Sequence, residues 1–258
     1  VVALSLLGAM VTTVGLVSVL GKPDAAPVAG PLPERALEPA PVRPGSTAPP
    51  VQKPVPVPEP QPQDSEGLIG PIREWANKVA TAVDIPARAL VSYVRADLAM
   101  SEYQPDCRIS WATLAGIGRV ESDHGRYGNR TLGEDAVPSR PIIGVALDGG
   151  PNVRAISDTD NGALDGDPIH DRAVGPMQFI PTTWSKWATD GNGDGVGNPQ
   201  NLDDAATAAA RYLCAGGRDM SSGQGWWSGV MSYNNSVEYA RKVYALAETY
   251  AAASNRRE

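Results

Sequence analysis

The chain is poor in the residues that build metal and redox centres. It has two cysteines and two histidines in 258 residues, and both pairs are widely spaced, so no zinc-ligand spacing exists. It also lacks a basic surplus. Lys and Arg number 22 against 29 Asp and Glu, a formal charge of −7. That balance argues against nucleic acid or an anionic lipid surface as the main partner. β-branched alternation is scarce and there is no internal repeat, which excludes an all-β fold and a solenoid. After Gly21 no long apolar run remains.

The one long apolar run is the first. Residues 1–21 carry no charge and consist mostly of Val, Leu, Ala and Gly, about one membrane thickness of helix. Two readings stand: an uncleaved anchor, which the length favours, and a cleaved secretory signal, for which Pro27-Val28-Ala29 offers small residues. The sequence starts at Val1 without an initiator Met or a basic flank, as a truncated chain would, so the positive-inside rule cannot be applied on that side. Residues 22–63 hold 14 of the 24 prolines, as in Pro54-Val55-Pro56-Val57-Pro58. Proline fixes φ and lacks the backbone donor, so this stretch reads as an extended, disordered spacer. It would reach on the order of 100 Å. Its basic and acidic residues balance, and the net charge therefore belongs to residues 64–258. That remainder has the length of one domain. It holds all six Trp, all eight Tyr and both Cys. In an exported domain the default for Cys107 and Cys214 is one disulfide. The alternative is two unrelated buried thiols.

The domain reads as mainly α. Ile72, Trp75, Val79 and Val83 share a helical face over 67–83. Pro86 opens a second helix through Met100. Ser110 caps a third, Trp111 to Ser122, which Gly125 is expected to stop. Pro181 starts a short helix to Ala188. Asp203 or Asp204 is expected to cap an alanine-rich helix ending at Gly216. Trp226 to Tyr233 and Val237 to Ala253 follow, the last capped by Ser236 with Val243, Ala247 and Tyr250 inward. Residues 129–173 break the pattern with Gly, Asp and Pro and one short apolar run, Ile142 to Leu147. This is an insertion, either a small hairpin beside the site or a plain surface excursion.

Glu121 stands out chemically. Leu114, Ile117 and Gly118 lie on its face at i−7, i−4 and i−3. A carboxyl on that apolar face is costly to ionise, and the negative end of the helix dipole acts the same way, so its pKa is expected to rise. A carboxylic acid kept protonated near neutrality suits general-acid cleavage of a glycosidic bond. From the residues alone, a surface or salt-bridged Glu is the competing reading.

Three motifs decide between them. Gly116-Ile-Gly-Arg-Val-Glu121-Ser122, Gly175-Pro-Met-Gln178-Phe179-Ile-Pro181 and Tyr233-Asn234-Asn235-Ser236 resemble, in order, the three motifs of lytic transglycosylases. The likeness is greatest to the membrane-bound B type and its actinobacterial relatives, and spans residues 84–250. It implies a lysozyme-like, mostly helical fold and action on peptidoglycan strands at the extracytoplasmic side of the cell envelope. It implies Glu121 as catalytic acid and base, giving 1,6-anhydro-muramic acid ends. Ser122, Gln178, Phe179, Tyr233 and Asn234 would contact substrate. Helix capping is the alternative for Ser122, and core packing for Tyr233. Met177, Phe179, Trp184, Trp187, Trp226 and Trp227 are either sugar platforms or core. Two rivals stay open: a hydrolytic muramidase with a second carboxylate from the Asp-rich insertion, and a non-catalytic wall-binding protein. A monomer is expected.

Asp190-Gly-Asn192-Gly-Asp194-Gly195-Val196 has oxygen ligands at alternate positions followed by Gly, the opening of an EF-hand calcium loop. Position 12 is Asn201 rather than Glu. Some B-type transglycosylases close a lengthened loop with a later Asp, which makes Asp204 the closing ligand. The expected set is Asp190, Asn192, Asp194, the Val196 carbonyl and Asp204, binding a structural Ca2+. A turn cluster without metal is the alternative.

Overall fold

The computed structural model describes residues 65–150 and 153–255. The apolar segment 1–21 and the whole spacer, 22–63, lie outside the described residues. None of the described helices is long and apolar enough to cross a membrane.

Among the described residues, seven α-helices carry the fold: α1 (Ser65–Val83), α2 (Ala87–Tyr103), α3 (Trp111–Ser122), α4 (Pro181–Trp187), α5 (Leu202–Leu213), α6 (Gly223–Tyr233) and α7 (Val237–Ser254). Short 3-10 turns follow α2 and α5. Helix α3 is the centre. Trp111, Leu114, Ala115 and Ile117 are fully enclosed, and α1, α2, α5 and α7 pack with it around one apolar core. Its two glycines permit that density. A Cβ on Gly116 would lie 2.9 Å from the Val243 carbonyl of α7. One on Gly118 would collide with the Tyr93 hydroxyl of α2. Residues Ile72 and Val83 of α1 are buried, with Trp75 and Val79 packed against the core. In α7, Val243, Ala247 and Tyr250 face inward as the spacing predicts.

The caps largely follow the sequence. Ser110, Ser222 and Ser236 each accept from the N–H three residues on. Helix α3 covers Trp111–Ser122 as the sequence predicts, and its C-cap is Asp123 rather than Gly125. Asp123 takes left-handed φ (52°), and its carboxylate pairs with both Arg119 and Arg126, which offsets the strain of φ > 0. Neither Asp203 nor Asp204 caps α5. Asn201 does, its Oδ1 accepting from Asp203 N–H at 2.8 Å. Asp203 instead reaches α2, pairing with Arg88 at 2.6 Å and Arg95 at 3.2 Å and accepting from Ser92. Helix α5 stops at Leu213 rather than Gly216, and α6 begins three residues before Trp226.

Cys107 and Cys214 form the disulfide, joining the turn after α2 to the end of α5. The insertion contains a two-stranded antiparallel sheet, β1 (Ile143–Ala146) with β2 (Arg172–Val174), in register Ile143↔Val174 and Ala146↔Arg172. Its long connection is folded by aspartates that accept from backbone N–H groups a few residues on, as Asp158 does from Asp160, Asn161 and Gly162. Such Asx turns compete with extended structure, which keeps the strands short.

Candidate active site

Helix α3 delivers Glu121 to the edge of the core. Leu114, Ile117 and Gly118 on its face are buried, and Glu121 itself is half-buried. Burial raises its carboxyl to about 7, because the charged form loses hydration that an apolar wall cannot replace. The opposing influence is one hydrogen bond: the Tyr239 hydroxyl donates to Glu121 Oε1 at 2.6 Å. Tyr239 lies in the first turn of α7 and is 7% exposed. Burial, then the nearby Glu121 charge, push both Tyr239 and Tyr233 well above the usual phenol range. Both hydroxyls are therefore neutral donors at any physiological pH.

Sequence reasoning missed Tyr239. The signal was adjacent: Ser236 closes the third motif and caps α7, with its Oγ accepting from the Tyr239 N–H. An N-cap at Ser236 places residue 239 in the first turn, level with the end of the motif.

The second motif wraps across the end of α3. The Tyr233 hydroxyl donates to the Met177 carbonyl at 2.7 Å, and the Tyr233 ring meets Phe179 edge-on at 5.9 Å. Gln178 is half-buried in the left-handed region (φ 52°), and its Nε2 donates to the Gly175 carbonyl at 2.9 Å. Asn234 is exposed and forms the C-cap of α6. Glu121, Tyr233 and the backbone of the second motif thus come together as the three motifs suggest.

Two of the expected substrate contacts, Ser122 and Phe179, are buried. Ser122 is 1% exposed; its Oγ donates to the Pro176 carbonyl at 2.6 Å and accepts from Gly125 N–H at 2.8 Å. With both bonds internal, it fastens α3 to the second motif. Phe179 is 2% exposed and packs edge-on against Trp184 and Tyr233, so its faces are not available to a sugar. Met177, Trp184 and Trp226 are likewise core, and Trp226 Nε1 donates to Thr113. Trp187 and Trp227 stay partly open.

The acidic loop has the expected oxygens, turned onto its own backbone. Asp190 accepts from the N–H groups of Gly193, Asp194 and Gly195. Gly193 and Gly195 take φ of +84° and +87°, which only glycine adopts freely. Asn192 accepts from Asp194 N–H, and Asp194 from Val196 N–H. Asp204, fully buried, reaches back from α5 to the N–H groups of Gly191, Asn192 and Asn198. Its pKa is raised by burial, with Asp194 adding like charge. A second acidic group sits in the insertion. Carboxylate oxygens of Asp158, Asp160 and Asp171 lie within 4.8 Å of one another, the group of three acids that converges this closely among the described residues. Each accepts hydrogen bonds from its own loop.

Residues 171–230 match the family model described as "Transglycosylase SLT domain". The match takes in the second motif, the acidic loop and α5. It does not reach Glu121 or Tyr233. No curated protein matches this chain. Among solved structures, the Escherichia coli lytic transglycosylase SLT35 in complex with bulgecin A is 16% identical, with a TM-score of 0.42 over 72% of this chain and 79% of that one. The same enzyme in complex with calcium is 16% identical, with a TM-score of 0.43 over 72% and 80%. SltB3 from Pseudomonas aeruginosa, in complex with NAG-anhNAM-pentapeptide, is 17% identical, with a TM-score of 0.39 over 73% and 71%.

Proposed function

We propose that the chain is a peptidoglycan lytic transglycosylase of lysozyme-like fold. It cleaves the β-1,4 bond between N-acetylmuramic acid and N-acetylglucosamine without consuming water. The observation that carries this reading is the Glu121 carboxyl, held near 7 by burial and hydrogen-bonded by a neutral Tyr239. The family-model match over 171–230 supports it.

Protonated Glu121 gives its proton to the bridging oxygen as the C1–O bond breaks. The positive charge left at C1 is shared by the substrate's acetamido group. The Glu121 carboxylate then takes the proton of the C6 hydroxyl as that oxygen bonds to C1, closing the 1,6-anhydro ring and restoring the acid. A pKa near the working pH suits one group to both tasks. Hydrolases generally need a second carboxylate. The insertion's acids are engaged otherwise: Asp148, Asp158, Asp160, Asp165, Asp167 and Asp171 all accept backbone N–H groups of their own loops. That favours the transglycosylase over the muramidase. Gln178 and Asn234 are the polar groups offered to the glycan, with Tyr233 supporting the site from behind.

The test is mass spectrometry of fragments released from purified peptidoglycan by the full chain, with Glu121→Gln alongside. Fragments with 1,6-anhydro ends, absent with the variant, are expected. Reducing ends would mean a muramidase. Binding without either product would move the wall-binding reading to the front, and equal turnover by the variant would remove Glu121 from the mechanism.

The donor chemistry of the Asp190 loop fits calcium. Asp190, Asn192, Asp194, the Val196 carbonyl and Asp204 would supply hard oxygens, and Asp204 is a buried carboxylate whose charge a cation would offset. The ion would fix the stretch after the second motif. Chelation is expected to lower the melting temperature and added calcium to restore it. No change in either step would leave the loop a metal-free turn cluster.

The wider reading places the enzyme with the membrane-bound B type and its actinobacterial relatives. Residues 1–21 would tether it and residues 22–63 would hold it off the membrane, as a monomer on the extracytoplasmic side of the envelope. Fractionation and light scattering of the full chain test this; a soluble, cytoplasmic or oligomeric protein would overturn it.

A further inference from the structure

The amide of Gln178 occupies a slot with two walls. One is the second motif itself, where Nε2 donates to the Gly175 carbonyl. The other is strand β1 of the insertion. A Cβ placed on Gly144 would lie 3.0 Å from Gln178 Oε1 and 3.3 Å from the Ala173 carbonyl, so a side chain there would shift the amide from its present position. The peptides on the near side of Gln178 are fixed from elsewhere, Pro176 by Ser122 and Met177 by Tyr233.

What keeps β1 at this distance lies downstream of the acidic loop. The Gln200 side chain grips residue 142 at both backbone groups: Ile142 N–H donates to Gln200 Oε1 at 2.9 Å, and Gln200 Nε2 donates to the Ile142 carbonyl at 3.0 Å. An amide used this way acts as one extra strand residue at the start of β1. The same carbonyl accepts from Gly175 N–H at 2.9 Å. Gly175 in turn packs so tightly on the Gln200 segment that a Cβ there would collide with the Pro199 carbonyl. Gln200 is itself held, its N–H donating to Asn198 Oδ1, and Asn198 N–H donates to Asp204.

We propose that Gly144 and Gln200 are positioning residues for Gln178: Gly144 leaves the room its amide occupies, and Gln200 holds the strand that forms the wall. On this view the insertion is part of the site, and a residue between the acidic loop and α5 sets the pose of a glycan-facing amide. The inference rests on Gln178 facing substrate, and the two claims separate experimentally.

The first readout is kcat/KM on purified peptidoglycan fragments for Gly144→Ala, Gln200→Ala and Gln200→Glu of the full chain, each alone and combined with Gln178→Ala. A displaced positioning group costs between about tenfold and a hundredfold, and that loss is expected for Gly144→Ala and Gln200→Ala. Gln200→Glu keeps the acceptor for Ile142 N–H and is expected to fall between. Once Gln178 is Ala, the second substitution is expected to cost less than about twofold, because residues acting through one group are not additive. Equal losses in both backgrounds would overturn the proposal. The second readout needs no turnover: the Gln178 side-chain amide resonance, identified by its loss in Gln178→Ala. It is expected to shift in Gly144→Ala and Gln200→Ala, and an unmoved resonance overturns the positioning claim. A shifted resonance in a protein that cleaves nothing would keep the positioning and remove the glycan-cleaving reading.

Discussion

Glu121 holds its proton to about 7 because one side of α3 gives it an apolar wall, and this has a cost to folding. Between about pH 4.5 and 7 the unfolded chain has released that proton while the folded chain keeps it. The unfolded state then binds fewer protons, so stability falls as pH rises through this window and levels off above it. The full difference is on the order of 3 kcal/mol. Glu121→Gln cannot ionise, yet its Oε1 still accepts from Tyr239. Urea unfolding should therefore show the variant close to wild type near pH 4 and more stable near pH 8, an advantage that grows across the window. A constant difference at both pH values would mean Glu121 is not perturbed. Tyr239→Phe tests the opposing bond. Its hydroxyl stabilises the ionised carboxylate, so removing it should move the alkaline limb of the kcat/KM profile upward; a limb that stays or falls would remove Tyr239 as a determinant. The sequence made Glu121 legible because helical spacing alone puts Leu114, Ile117 and Gly118 beside it. Burial of individual neighbours is not written locally. Ser122 and Phe179 are motif residues that turn inward, and Tyr239 reaches Glu121 through the packing of α7 on α3, which its place after the Ser236 cap does not give by itself.

At the scale of elements, helix starts were the most legible feature, because a cap is a local bond between one side chain and a nearby N–H. Competing acids were not, nor was the end of α5, which stops at Leu213 rather than Gly216. Asp203 sits where a cap is expected, but three partners from α2 outbid that local bond, and Asn201 takes the cap. The insertion's strands were partly visible in the apolar run at 142–147, whereas their partner at 172–174 carries no alternating signal. The close approach of α3 to its neighbours depends on glycine where propensity would favour alanine. Gly118→Ala should gain a few tenths of a kcal/mol to about 1 kcal/mol of helix propensity, yet lose about 1–3 kcal/mol to overpacking, since its Cβ would meet the Tyr93 hydroxyl. That hydroxyl is hydrogen-bonded to His124 Nδ1 at 3.1 Å, and its ring is fully buried, which opposes its moving aside. Thermal melts should show a net loss, partly recovered by Tyr93→Phe, which removes the nearest clashing atom. A Gly118→Ala protein that melts higher than wild type would show that α2 yields at this crossing.

Across the whole molecule, α5 is the member that ties the parts together, and it is fastened at both ends. Its first turn sends Asp203 to Arg88 and Arg95 of α2 and Asp204 into the acidic loop. Its far end is bonded through Cys214 to Cys107, with Gln104 Nε2 donating to the Cys214 carbonyl at 3.0 Å. The disulfide closes a loop spanning 107 residues, which holds α3, with Glu121, the insertion, the second motif and the acidic loop. Cross-linking so long a segment restricts the unfolded chain, and the chain-entropy account sets the stabilisation at up to about 4–5 kcal/mol. Cys107→Ser with Cys214→Ser should therefore lower the unfolding midpoint in urea by an amount approaching that figure. Both cysteines are buried, at 1% and 0% exposure, so the paired substitution with Ala serves as the control for placing hydroxyls in an apolar site. If both pairs lose the same amount, the loss belongs to the cross-link. If Ala pairs retain full stability, the native loop is held by its packing and by the Asp203 ion pairs alone. The acid should stay in place either way at low denaturant, because Ser122 and Tyr239 fasten the end of α3 independently of the bridge. Activity per folded molecule is thus expected to survive loss of the disulfide even as the midpoint falls.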